Sequence, residues 1–216
     1  SMVQMLERRD QDEYTREKLS HVSGQLLRIQ TTLRELIQFS RPASAIRQRV
    51  ALGDVVAEAL NIAKYYKRIK GRRIESDMPA DLPPVLGVRD QLVQAMLNLV
   101  LNAIDATEKG GLIRIEGRAS EGGVIIAVCD DGAGIAAEDA ARLFQPYFTT
   151  KPHGAGLGLV VTRKLVGEHG GSIAFESTPG VGTTFRVRLP GIENVRTPFC
   201  REPEASAGGA QARAAP

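Results

Sequence analysis

Residues 91–106, QLVQAMLNLVLNAIDA, are apolar on nearly every side, the pattern of a helix buried within a domain. Gln94, Asn98, Asn102 and Asp105 recur inside that stretch at steps of four, four and three, a spacing that holds side chains on one helical face. A buried amide with no hydrogen-bond partner costs about 1–3 kcal/mol. The stripe must therefore face either a neighbouring loop of the same chain or a bound ligand.

Two glycine-rich segments downstream can close over that face. Asp130-Asp131-Gly132-Ala133-Gly134-Ile135 follows an apolar run, and Gly154-Ala155-Gly156-Leu157-Gly158-Leu159 leads into a helical one. Between them lies Phe144-Gln145-Pro146-Tyr147-Phe148-Thr149-Thr150-Lys151. Asp130 ends a strand, where a carboxylate is unexpected unless it accepts a hydrogen bond from a ligand or forms an Asx-type turn before Gly132. Gly132 and Gly134 lack Cβ and let the backbone turn tightly and approach a partner closely. Gly154, Gly156 and Gly158 stand at the start of a helix, whose free N–H groups suit phosphate.

With the Asn-x-x-x-Asn stripe, these segments resemble in order and spacing the ATP-binding domain of sensor histidine kinases. That domain belongs to a superfamily shared with type II topoisomerases, Hsp90-type chaperones and mismatch-repair ATPases. The resemblance runs from about residue 52 to residue 190 and implies ATP and Mg2+ as ligands. By resemblance Asp130 takes the adenine amino group, with Thr183 or Thr184 as a nearby helper and Gly132, Gly134 and Ile135 beside it. Asn102 is then the metal ligand and Asn98, one turn earlier, faces the phosphates; these two are the candidate catalytic residues. One amide oxygen suits magnesium, which prefers hard oxygen ligands and keeps several waters. Lys151, Gly154, Gly156, Leu157 and Gly158 close over the triphosphate as a short lid, with Asp105 and Gln94 at the edge of the shell.

The superfamily's ATP-hydrolysing members carry a glutamate at the Asn98 position to activate water, and an asparagine cannot accept that proton. The resemblance thus implies that the γ-phosphoryl group is left for a histidine and passes on to an aspartate of a response regulator. Two other readings use the same domain: a nucleotide-gated interaction module in which no phosphate moves, and a protein serine kinase.

Leu19, Val22, Leu26, Ile29, Leu33 and Leu36 alternate steps of three and four, a seam that wants to pack in a helical bundle. By resemblance this is the second helix of a dimerisation hairpin whose first helix, with the phosphoacceptor histidine, is missing. His21 is not that histidine, because no acidic residue and proline follow it, and the chain alone is expected not to phosphorylate itself. Self-association through residues 15–40 is expected instead. The expected division is 1–45 partial dimerisation region, 46–192 catalytic domain and 193–216 flexible tail, the last rich in Ala, Gly and Pro. Ser1-Met2 reads as a tag scar ahead of a fragment start.

Composition excludes several alternatives. No run approaches ~18 uninterrupted apolar residues, so no membrane segment is expected. A net charge of +3 is mild, and Lys64, Lys67, Arg68, Lys70, Arg72 and Arg73 read as a solvated helix end rather than a nucleic-acid surface. Cys129 and Cys200 give neither a disulfide framework nor metal spacing, which fits a reducing cytoplasm, with the full-length protein attached to the inner membrane as one option.

The patterning predicts strands at 47–52, 73–76, 112–117, 124–130, 172–177 and 183–189. It predicts helices at 54–70 with Asp54 as cap, from 89 or 90 to about 108, at 137–144 and at 158–169, with His169 at the last helix end and His153 on the lid surface. This order indicates an α/β fold, a two-layer sandwich of a mixed sheet with helices on one face, preceded by a long bundle-forming helix.

Overall fold

The computed structural model describes residues 46–151 and 156–192. The 15–40 seam with His21, the lid residues His153 and Gly154, Cys200 and the 193–216 tail lie outside the described residues. In chain order the elements are β1 (Gln48–Val50), α1 (Leu52–Ala63), a single 3-10 turn (Lys67–Ile69), β2 (Arg73–Asp77), β3 (Val85–Gly87) and α2 (Arg89–Ala106). They continue with β4 (Leu112–Ser120), β5 (Gly123–Asp130), α3 (Ala137–Ala140), α4 (Gly158–Glu168), β6 (Ser172–Thr178) and β7 (Gly182–Pro190). The main sheet has the order β2-β4-β5-β7-β6, parallel between β2 and β4 and antiparallel elsewhere. The expected two-layer mixed sandwich is what forms.

Strand alternation decides the two faces. Ile113 and Ile115 on β4, Val124, Ile126 and Val128 on β5, and Phe185, Val187 and Leu189 on β7 are buried beneath the helices. The opposite parity carries solvent-facing ion pairs, among them Arg118–Glu116 at 2.9 Å and Arg186–Glu176 at 2.7 Å. Helix α2 runs through the middle of the helical layer between α1 and α4 and rests on β5. Its Leu92, Ala95, Leu99 and Ile104 are wholly buried, which explains its apolar composition. No helix among the described residues is long and apolar enough to cross a membrane.

Four local expectations need correction. Helix α1 stops at Ala63 rather than near residue 70, because its buried positions Leu52, Val55, Val56, Ala59 and Ala63 end there and Lys64 and Tyr65 face solvent. Asp54 is not its cap: Ala51 precedes the first turn without a side-chain hydrogen bond, and Asp54 lies inside that turn, favourable to the helix dipole. No element was expected between 77 and 88, yet Val85–Gly87 pairs antiparallel with Gln48–Val50. Helix α3 is one turn of four residues with nothing buried, too short to show a periodicity.

Candidate functional site

The polar stripe of α2 meets a different element at each turn. Asn98 donates from Nδ2 to the carbonyl of Gly158 at 3.2 Å and to Thr162 Oγ1 at 3.4 Å, which fixes the start of α4 against it. Asn102 Oδ1 accepts a hydrogen bond from Lys151 Nζ at 2.6 Å. Asp105 takes Lys151 Nζ at 2.9 Å on Oδ2, and both Arg68 Nη1 and the Tyr66 hydroxyl at 2.9 Å on Oδ1. Gln94 is half-buried on the same helix. Asn98 and Asn102 thus have partners in the folded chain, as the neighbouring-loop explanation requires; the partner of Asn102 is a cation, and two cations meet on Asp105.

Burial raises the Asp105 carboxyl pKa. Hydrogen bonds from Arg68 and Lys151, the Lys151 charge and the Tyr66 phenol outweigh that penalty, so the group stays below its ordinary value and ionised. The same contact holds the Tyr66 phenol above its ordinary value, through burial first and then the Asp105 charge.

At the C-terminal end of α2, Ala133 N–H donates to the carbonyl of Ala106 at 3.1 Å, seating the first glycine loop on the helix beside Asp105. Gly134 sits at φ 69° with its α-carbon against the next hairpin; a Cβ there would lie 2.2 Å from the carbonyl oxygen of Thr178. Only glycine fits both conditions. Asp130 ends β5 on the helix-facing side and accepts from Gly132 N–H at 3.0 Å. Burial pushes its carboxyl up to about 6, offset only in part by the Gly132 and Thr183 N–H groups. The Asx-type turn before Gly132 is thus what the structure shows at Asp130.

Asp130 pairs with Thr183 across the β5–β7 ladder, and Thr183 is buried. Its hydroxyl lies 2.9 Å from Ser177 Oγ, which in turn accepts from Ile135 N–H at 2.8 Å. Thr184 pairs with Cys129 and Glu176 on the opposite parity, so it faces away from this cluster. Of the two threonines, Thr183 is the neighbour of Asp130. The sequence contained that answer, because Phe185, Val187 and Leu189 mark the inward parity.

The aromatic segment before the lid is tied down from two sides. Tyr147 N–H donates to the carbonyl of Gly156 at 3.1 Å, and Arg163 of α4 donates to the carbonyl of Phe144 at 3.2 Å while lying over its ring. Leu157 is buried and Gly158 opens α4, so the described part of the second glycine loop borders Asn98. Tyr66, Arg68 and Ser177 join the site without having been expected there. No motif marks them; the turn after α1 and the β6–β7 register bring them in.

A magnesium site asks for one or two hard oxygens next to phosphate rather than a cage of carboxylates. Among the described residues no group of three or more His, Cys, Asp or Glu could hold a metal, so these residues offer no such cage. They offer the Asn102 amide oxygen, already aimed at a cation in the form of the Lys151 ammonium. That donor set fits magnesium carried in with a nucleotide.

The family model described as histidine kinase-, DNA gyrase B-, and HSP90-like ATPase matches residues 87–192, the span from the entry of α2 to the end of β7. The sensor histidine kinase ZraS of Salmonella typhimurium is 37% identical over 76% of this chain and 36% of its own length. The chain spans about a third of the length of the curated relatives it matches. The catalytic domain of histidine kinase ThkA superimposes with a TM-score of 0.60 at 31% identity, over 67% of this chain and 95% of that one. ThkA in complex with the response regulator protein TrrA gives a TM-score of 0.69 at 26% identity, over 88% and 55% of the respective chains. An amide stripe flanked by two glycine loops, on a sheet and helix order shared almost end to end with a histidine kinase catalytic domain, leaves one family: the chain belongs to the histidine kinase-, DNA gyrase B- and HSP90-like ATPases, in the histidine-kinase branch.

Proposed function

We propose that residues 46–192 bind ATP with magnesium along the α2 stripe and deliver its γ-phosphoryl group to a histidine, from which it passes to an aspartate of a response regulator. The observation that carries this reading is the pair Asn98 and Asn102, inward-facing amides on a helix where a hydrolysing relative needs a carboxylate base. Phosphoryl transfer rests on positioning and charge neutralisation more than on proton abstraction. Asp130 accepts from the adenine amino group, with Thr183 beside it, and Gly132, Gly134 and Ile135 wall the ring. Asn102 Oδ1 is the protein ligand of magnesium, which supplies charge neutralisation on the phosphate oxygens when bound. Lys151 then gives up Asn102 and turns to phosphate, while Asn98 and the N–H groups from Gly156 to Gly158 orient the chain of phosphates.

The partner histidine and the regulator follow from the family and from the ThkA–TrrA complex, which concerns that protein. Residues 15–40 pair with a second copy through the Leu19-to-Leu36 seam, and a domain that consumes ATP belongs in the cytoplasm. The test is to incubate the chain with γ-radiolabelled ATP, magnesium and a separate helix fragment bearing a histidine followed by an acidic residue and a proline. Acid-labile label on that fragment, and none on the chain alone, is the expected result. Label on His21 of the chain would overturn the assignment of the missing helix; nucleotide binding with no transfer to any histidine fragment would leave the interaction-module reading in its place.

A further inference from the structure

We propose that Arg68 binds the nucleotide's polyphosphate directly; the inference rests on reading the α2 cleft as an ATP site. Asp105 stands one turn beyond Asn102 with its side chain only 12% exposed. Both of its oxygens are occupied, Oδ1 by Arg68 Nη1 and the Tyr66 hydroxyl, Oδ2 by Lys151 Nζ, each at 2.9 Å. Two cations therefore converge on one carboxylate, which balances only one of them. The surplus positive charge sits beside the Asn102 oxygen, where the metal-bound phosphates come to rest. Arg68 is suited to use it: a guanidinium carries five N–H groups in a planar fork, and the contact to Asp105 is made through Nη1 while the side chain is 61% exposed. The neighbouring Arg72 differs, since its Nε is committed to the carbonyl of Thr107 at 2.8 Å.

The backbone supports the same conclusion. Helix α1 ends at Ala63, and the chain then makes the single turn Lys67–Ile69 that carries Arg68 back over Asp105, with the Tyr66 phenol completing the contact. Arg68 itself stays 61% exposed, and an ion pair with so solvated a partner adds little to stability, so folding alone does not account for its placement. Sequence pattern groups Arg68 with a solvated basic helix end; the turn removes it from that end and adds it to the cleft.

Calorimetric titration of Mg-ATP into four proteins tests the assignment: the unaltered chain, Arg68→Ala, Asp105→Asn, and the double variant. Arg68→Ala is expected to bind about tenfold more weakly than the unaltered chain, the effect of one charge-assisted contact, and the double variant about tenfold more weakly than Asp105→Asn. The proposal is overturned if Arg68→Ala binds within about twofold of the unaltered chain. It is equally overturned if the double variant matches Asp105→Asn, which would mean that Arg68 acts only by neutralising Asp105. An unaltered chain that binds no Mg-ATP would instead remove the ATP reading itself.

Discussion

Burial holds the Asp130 carboxyl at about 6 in the folded chain, against an ordinary value of 3.8. Between those two values the folded state binds more protons than the unfolded one, so this group makes the fold less stable as pH rises, and its penalty is complete above about pH 6. Asp130→Asn should therefore stabilise the fold at pH 7, by about 1 kcal/mol once solvent screening at a partly exposed site is allowed for. The same change should weaken nucleotide binding, because the amide offers a weaker acceptor to the adenine amino group. Urea unfolding and nucleotide titration of one variant read both signs; a variant less stable at pH 7 would contradict the burial argument. In the unaltered chain, nucleotide affinity should drop as pH falls below about 6 and the carboxylate takes up its proton. A pH profile flat from 7 to 5 would show that Asp130 does not contact the ligand as a carboxylate.

Among the elements, α2 is held at its start by a residue far away in sequence. His169, 4% exposed at the end of α4, accepts from Val88 N–H on Nε2 at 2.9 Å, so the neutral ring carries its proton on Nδ1 and donates to the Leu165 carbonyl at 2.7 Å. Gly87 leaves room for the ring; a Cβ there would lie 2.6 Å from it. His169→Ala should cost about 2 kcal/mol through the unsatisfied N–H and the cavity, measured by urea unfolding, and a loss below about 0.5 kcal/mol would contradict this role. The long elements were legible because nine residues of β4 or eighteen of α2 show a period, whereas three-residue β3 shows none, and α3, expected over 137–144, is too short for a period to fix its end. Along the cleft, the described residues that motifs carry lie where the sequence grouped them. Tyr66, Arg68 and Ser177 were not legible, since a turn direction and a strand register deliver them, and neither leaves a local pattern.

At the scale of the molecule, one helical layer covers one face of the sheet while ion pairs line the other, and among the described residues the core is one continuous cluster from Val50 to Leu189. A chain cut to residues 46–192 should accordingly unfold in one cooperative transition and sediment as a monomer, the longer chain sedimenting as a dimer; aggregation of the shorter form would contradict the proposed boundary. The cleft exists because α2 gathers α4, the turn after α1 and the first glycine loop along a single polar edge. Calorimetry with ADP, with and without magnesium, on the unaltered chain and on Asn102→Ala tests that account most directly. Magnesium should tighten ADP binding to the unaltered chain and have no effect on Asn102→Ala, whose unfolding midpoint should stay the same; Mg-ADP bound equally tightly by both proteins would show that Asn102 does not hold the metal.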